Sequence, residues 1–407
     1  MKPAIQPAGL ALAAFFALVP AISVGGALAM AVLVCTAGAL AFRPSLLRQA
    51  FEKRPLPLVL IAAMTLWAMA TTLWSPLRFD DQVAKLAFIV PLGAMFVASA
   101  TADASMRRLT LASAIAGVVV LIPLLAVEAT QNMLLNHTAQ PDERVDLLLR
   151  NGGRGTTVLL ALLWPALGAL LLMGGWWRLG VGLAALAGAA WLSPQFDQLA
   201  NAIAFVGGLA AFAIGLAAPR SGILLMTGGL GAWLLAAPFL TPIIFANQRL
   251  LDALPLSAAI RVGIWEYVCE QILTRPWFGH GLEATRAVTD RMEVRGMNLQ
   301  AMQVHPHSAS LHIWYETGLI GACLCAAALI AGGLWLARRY GANRPGAAAA
   351  CASLASLGFI ANVSYGLWAE WWLATLFLTA AFIGSLLLDQ GSADREKPMT
   401  THAGLDV

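Results

Sequence analysis

Long apolar runs, separated by short charged or glycine- and proline-bearing punctuation, occupy most of the chain. Twelve such runs lie near 8–24, 26–42, 57–74, 83–100, 109–127, 156–174, 179–192, 199–216, 223–245, 318–337, 347–364 and 367–388. Most approach the ~20 apolar residues that a membrane-crossing helix needs; the seventh is short. The pattern predicts an all-α polytopic membrane protein with about 12 transmembrane helices and both termini on one side. Composition agrees. Of 407 residues, 59% are hydrophobic and only 11% are charged, under half of the ~25% usual in soluble domains. That excludes a cytosolic enzyme, a secreted disulfide scaffold and a disordered chain. The first run has no cleavage-like site behind it and reads as a first helix rather than a removed signal.

Charge placement then orients the helices. The loops holding Lys2, Arg43, Arg48, Lys53, Arg54, Arg107, Arg108, Arg178, Arg220, Arg338, Arg339, Arg344, Arg395 and Lys397 carry 14 of the 25 cations, and six of the other 11 lie in one long loop. The positive-inside rule excludes long loops, so the 14-cation side, with both termini, is expected in the cytoplasm. Two longer polar segments fall on the opposite face, Glu128–Gly155 and Ala246–Thr317. This divides the chain into helices 1–9 over 1–245, a large external loop over 246–317, helices 10–12 over 318–388, and a cytoplasmic tail over 389–407. No basic run points to nucleic acid, and Cys35, Cys269, Cys323, Cys325 and Cys351 imply no disulfide framework. With almost no Asp, Glu, Lys or Arg inside the runs, and with Lys85 and Glu370 near run ends, a membrane-deep ion or substrate path is disfavoured.

Three stretches can carry chemistry. Ala258–Leu273 repeats Ile260, Ile264, Val268 and Ile272 as one apolar stripe, with Arg261 and Trp265 one turn apart beside it. Such an arginine at headgroup level suits phosphate, although periodicity alone equally describes a plain interfacial helix. His305, His307 and His312 lie within eight residues. Their spacing does not match a helical zinc pair and no cysteine is near, so no metal site is expected. His312 is expected to bond Glu316 one turn on, and His305 remains open. Arg150–Thr157 sets glycines on both sides of Arg154, where backbone amides and a guanidinium could meet an anion. Charged residues at span ends also simply anchor helices.

His307-Ser308, nine residues, then Gly318-Leu319-Ile320-Gly321 resembles the H-[NSQ]-x9-G-x-x-[GTV] signature of the O-antigen ligase family. Arg261-Val-Gly-Ile-Trp265 together with Arg275-Pro276-Trp277-Phe278-Gly279-His280-Gly281 is similar to the opening of the large periplasmic loop in the wider ligase/polymerase superfamily. The resemblance implies a C-type, metal-independent glycosyltransferase of a bacterial inner membrane with a periplasmic active site and no cofactor. Its donor would be an undecaprenyl-diphosphate-linked glycan and its acceptor a sugar hydroxyl of lipid A–core, both reached among membrane lipids. By motif position it implies His307 as the catalytic residue, as base or positioner, and Arg261 as the diphosphate ligand. Arg154, Trp265, His305 and Arg275 are the accompanying substrate-binding candidates. Family members commonly carry a further arginine in a short external loop; the matching stretch here, Leu192–Gln198, has none, and Arg154 is the candidate substitute. A polymerase using the same donor, and a lipid-glycan transporter, are the competing functions.

Overall fold

The computed structural model of the chain describes residues 7–53, 55–77, 81–173 and 175–386. Sixteen helices account for most of them: α1 (Pro7–Val24), α2 (Met30–Leu40), α3 (Pro44–Lys53), α4 (Leu56–Ala70), α5 (Gln82–Ala100), α6 (Ala104–Thr130), α7 (Leu134–Ala139), α8 (Val145–Leu172), α9 (Trp177–Leu192), α10 (Leu199–Ala217), α11 (Pro219–Ile244), α12 (Gln248–Ala253), α13 (Leu256–Thr274), α14 (Ala309–Tyr340), α15 (Arg344–Val363) and α16 (Glu370–Ser385). Among the described residues the strands form one antiparallel hairpin, β1 (Arg291–Val294) with β2 (Met297–Gln300), Arg291 opposite Gln300. Among the described residues, nine helices are long and apolar enough to cross a membrane: α1, α4 with its following turn, α5, α6, α8, α10, α11, α14 and α15. The second expected run contracts to α2, too short to span unaided, and α9 and α16 are also short. Exposed Val32, Phe88, Val206 and Ile243 give these rods an apolar outer surface, as lipid contact requires. The expected tail, with Lys2, Arg54, Arg395 and Lys397, lies outside the described residues.

One helix is central. From Val158 onward α8 is apolar on every side, and the helix packs against α1, α6, α7, α9, α10, α15 and α16, as an all-round hydrophobic stretch must. Small residues set close crossings elsewhere in the bundle. Gly215 of α10 meets Ala347 and Ala348 of α15, and Gly333 of α14 meets Thr227 of α11, the close-approach packing favoured between membrane helices.

Two sequence-based boundaries change. The expected external segment Glu128–Gly155 is mostly helical: α6 runs on to Thr130 and α8 begins at Val145, with α7 between them. A buried polar knot makes this possible. Glu128 accepts from the Leu135 amide and from Asn136, whose side chain also reaches the Val24 carbonyl and accepts from Asn151. The tenth helix starts at Ala309 instead of 318. Ser308 is its N-cap, and residues 309–317 form a helical segment whose His312, Trp314, Tyr315 and Glu316 read as loop because they are polar or amphipathic.

α14 is then broken at Gly318, whose φ of 64° and ψ of −166° are non-helical and open essentially only to glycine. The freed backbone groups pair with the 275–282 loop. Tyr315 O accepts from His280 N (2.7 Å) and Glu316 O from Gly281 N (2.9 Å), while Leu319 N donates to Pro276 O (2.8 Å). Trp67 of α4 donates its indole N–H to Thr317 O at 2.9 Å. The loop can come this close because Gly279, at φ +69°, has no side chain; a Cβ there would lie 2.5 Å from the Glu316 carbonyl carbon. Gly318→Ala meets both penalties, with its Cβ 2.4 Å from Trp277 O. It should cost at least the ~1–3 kcal/mol of a strained backbone position and visibly lower the thermal midpoint of the purified protein in detergent. Gly228→Ala, on α11 with open space around it, should leave that midpoint unchanged or slightly raised.

Candidate functional site

At the α14 N-terminal end of the bundle, four separate stretches converge: the second and third turns of α8, the start of α13, the 304–308 approach to α14, and the α15–α16 turn. Arg261 carries its charge to His305, His307 and Tyr365, and Arg154 also acts on Tyr365. Arg150, one turn before Arg154 on the same face of α8, acts on His307 as well. Arginines about a hundred residues apart in sequence thus face one centre. The glycines beside Arg154 do not expose amides to an anion, because the whole stretch is helix. They admit neighbours instead: Phe196 packs on Gly152, Gln198 on Gly153, and the Ser23 carbonyl on Gly155.

His307 has a defined tautomer. Its φ of 55° is left-handed, an uncommon conformation for a residue other than glycine. Its Nδ1 lies 2.7 Å from the Ser364 carbonyl, which can only accept. Nδ1 therefore carries the proton and Nε2 keeps a free lone pair. Burial presses the His307 pKa below the ordinary histidine value, the Ser364 carbonyl pulls it upward, and Arg261, Arg150 and His312 press it down further. His305 packs against it, ring centroids 4.3 Å apart, and its Nδ1 accepts the His307 backbone N–H at 3.2 Å. Burial, then His307, His312, Arg286 and Arg261, push the His305 pKa down to about 2, so this ring is neutral with its proton on Nε2.

A second tier holds these rings. Glu316, fully buried, accepts from Trp368 Nε1 at 2.6 Å and from Thr285 Oγ1 at 3.0 Å. His312 Nε2 stands 3.1 Å from its carboxylate, at ion-pair distance without hydrogen-bond alignment, which is the pairing expected from their spacing. His312 Nδ1 accepts the Leu367 amide at 3.3 Å. The carboxylate thereby fixes the 364–368 turn, whose Ser364 carbonyl orients His307. Trp265 serves the same end: its indole donates to Pro306 O at 2.8 Å and its ring packs on Phe245.

Tyr365 also stands in this cluster and was not singled out from the sequence, while Arg150 opened the third candidate stretch without being given a role. The Tyr365 hydroxyl meets Thr157 Oγ1 at 3.1 Å, which reaches Asn201 and through it the Gly153 carbonyl. Burial raises the Tyr365 pKa, against the pull of Thr157, Arg154 and Arg261. The available signal was the Ser364-Tyr365-Gly366-Leu367-Trp368 turn between two apolar runs, hidden by the habit of aromatic residues to collect at membrane boundaries. Arg154 also lies over Trp371, 5.7 Å from the ring centroid. Arg275 is elsewhere: it is exposed, in a separate hollow with Trp74, Trp277 and Phe278.

No family model matches the chain, and no solved structure matches it. Among curated proteins it is similar to a candidate polysaccharide ligase of Rickettsia conorii, 26% identical over 133 residues covering 32% of each chain. It is similar also to those of Rickettsia typhi and Rickettsia prowazekii, each 27% identical over 139 residues, 31% of this chain and 32% of theirs. The chain thus matches about a third of the length of these curated relatives. These weak similarities support an O-antigen-ligase-like relationship without establishing membership.

The neutral histidines make stability pH-dependent. A histidine whose pKa is depressed on folding gains its proton only when the chain unfolds, so its contribution is complete above about pH 6.5 and is lost as pH falls below it. For His305 the loss at pH 5 is about 2 kcal/mol. The thermal midpoint should drop between pH 7.5 and pH 5, and the drop should shrink in His305→Asn, which keeps an acceptor near the Nδ1 position without titrating.

Proposed function

We propose that the protein is a membrane glycosyltransferase of the O-antigen ligase type. It moves a glycan from undecaprenyl diphosphate to a sugar hydroxyl of lipid A–core at the periplasmic face of a bacterial inner membrane. The observation that carries this reading is the gathering of Arg261 and Arg150 on His307, whose Nε2 lone pair is left free by the Ser364 contact, with Arg154 and Arg261 both acting on Tyr365 beside it. Such a set can hold an anionic leaving group beside a base without a nucleotide. The names of the weakly similar Rickettsia proteins, candidate polysaccharide ligases, point the same way. In this reading α1, α2, α4, α5, α6, α8, α9, α10, α11, α14, α15 and α16 make twelve crossings, and α12, α13 and the hairpin form the periplasmic loop.

The chemistry follows from those atoms. His307 Nε2 takes the proton of the acceptor hydroxyl. The hydroxyl oxygen bonds to the anomeric carbon of the donor as the bond from that carbon to the phosphate oxygen breaks, its electron pair leaving with the diphosphate. Arg261, Arg154 and Arg150 stabilise the charge that develops there. In this reading Arg154 stands in for the family's short-loop arginine, which is supported by the packing of the arginine-free 192–198 turn on Gly152 and Gly153, the residues just before Arg154. The buried Glu316 and His312 act through the 364–368 turn as positioning residues.

Reconstitution with undecaprenyl-diphosphate glycan and core lipid, in EDTA, tests the whole reading. His307→Ala and Arg261→Ala should each slow transfer by about 10²–10⁴-fold. Arg261→Lys should recover little, since an ammonium lacks the bidentate fork. Normally expressed variants that leave lipopolysaccharide ladders intact would sink the assignment. Transfer onto a second lipid-linked glycan instead of core lipid would make the enzyme a polymerase, and loss of activity in EDTA would overturn metal independence. For sidedness, Cys269 is buried and a poor probe. Thr289→Cys, on the exposed approach to the hairpin, should react with a membrane-impermeant thiol reagent added to spheroplasts; protection there would reverse the topology.

A further inference from the structure

Beside the cationic centre, and sharing Arg154 and Tyr365 with it, lies a cavity of about 250 Å³ in which carboxylates join the arginines. Glu283, Glu370 and Gln82 face it, together with Trp368, Trp371 and His305. Arg261 and His307 do not line it. Its charged residues engage others at the rim: Glu370 pairs with Lys85 at 2.8 Å, Glu283 with Arg286, and Arg154 lies over Trp371. The result is a hollow of nearly balanced charge, rich in hydrogen-bonding groups and walled by aromatic rings.

This lining selects among ligand classes. Glu283 and Glu370 offset the charge of Arg286 and Arg154 in the lining, so a diphosphate is better served on the His307 side, where Arg261 and Arg150 act with no carboxylate among the groups acting on that ring. The polar lining disfavours an alkyl or polyprenyl chain, which would displace water from it without offering any hydrogen bond in return. A neutral ring bearing several hydroxyls matches: carboxylate and amide oxygens accept from hydroxyls, and the indoles cover the C–H surfaces. His305 fits this ligand as well. Its Nδ1 is already occupied by the His307 amide, so what it can offer the cavity is an uncharged Nε2–H donor. His305 lines this space and packs on His307, so a sugar here would sit one imidazole away from the base.

We infer that this cavity is a subsite for a single sugar ring, held by Glu370, Glu283 and His305 beside the transfer centre. The inference deepens the glycosyltransferase reading and rests on it for the identity of the sugar, which comes from either the transferred glycan or the receiving one. Its volume admits one ring and not a chain.

Two variants test it without touching Arg261 or His307. Glu370→Gln removes one charge-assisted contact, and Ala369→Phe fills the cavity from its own wall. In nanodiscs, saturation-transfer NMR should detect binding of either the free core oligosaccharide or the free repeat-unit oligosaccharide, both lacking lipid and phosphate. Both variants should abolish that signal. They should raise KM for the matching lipid substrate by about tenfold, the equivalent of one such contact, while changing kcat little. A shift in the core-lipid KM marks an acceptor site, and a shift in the donor KM marks a donor site. The inference is overturned if neither oligosaccharide binds the unmodified protein, or if both variants leave both KM values unchanged. Oligosaccharide binding in a protein that transfers no glycan would refute the proposed function and leave the subsite standing.

Discussion

A helix that breaks in apolar surroundings must find partners for every backbone group it frees, and much of this structure answers that demand at Gly318. The carbonyls of residues 315–317 and the amides just beyond the break are taken up by the 275–282 loop and by Trp67. Because these bonds are backbone to backbone, they fix the register of the loop against α14 residue by residue. The loop in turn follows α13, so the break determines where Arg261 stands relative to His307. The nine residues of the signature between Ser308 and Gly318 acquire a physical meaning: they are one short helix, capped at one end and broken at the other.

Within that short helix, Glu316 supplies the second constraint. A fully buried carboxylate is costly unless its oxygens are satisfied, and here Trp368, Thr285 and His312 satisfy them. Each belongs to a different part of the chain, so one group ties the loop, α14 and the α15–α16 turn together. The imidazoles above it are ordered as a consequence. Balanced charge in the neighbouring cavity and concentrated positive charge around His307 then divide one end of the bundle into two chemically distinct halves.

The apolar runs made most of the bundle legible from sequence, since a helix exposed to lipid must be apolar over its whole length. Legibility failed where helices are sheltered by protein. Val145–Gly155 reads as a polar, glycine-broken segment, yet it is the beginning of the most enclosed helix, its glycines selected by Phe196, Gln198 and Ser23. His312, Trp314 and Glu316 looked like loop residues because their partners, Leu367, the Leu234 carbonyl and Trp368, are remote in sequence. Arg261, His307 and Arg154 stood out as isolated polar groups in an apolar text. Tyr365 did not, because one tyrosine in a short turn carries no pattern. Lys85 and Glu370, read as separate span ends, are partners, a pairing that only the fold could disclose.

The two principal arginines are mounted very differently. Arg154 belongs to α8, which is enclosed by seven other helices and can shift only if the core shifts with it. Arg261 belongs to α13, which packs on α11, α14 and the hairpin strand β1, with Glu266 and Glu270 on an exposed face. One cation is therefore part of the chassis and the other rides on an outboard arm. Any widening of the gap between them, whether to admit a bulky lipid or to release a spent one, has to be a displacement of α13 and its hairpin, with α8 as the fixed jaw.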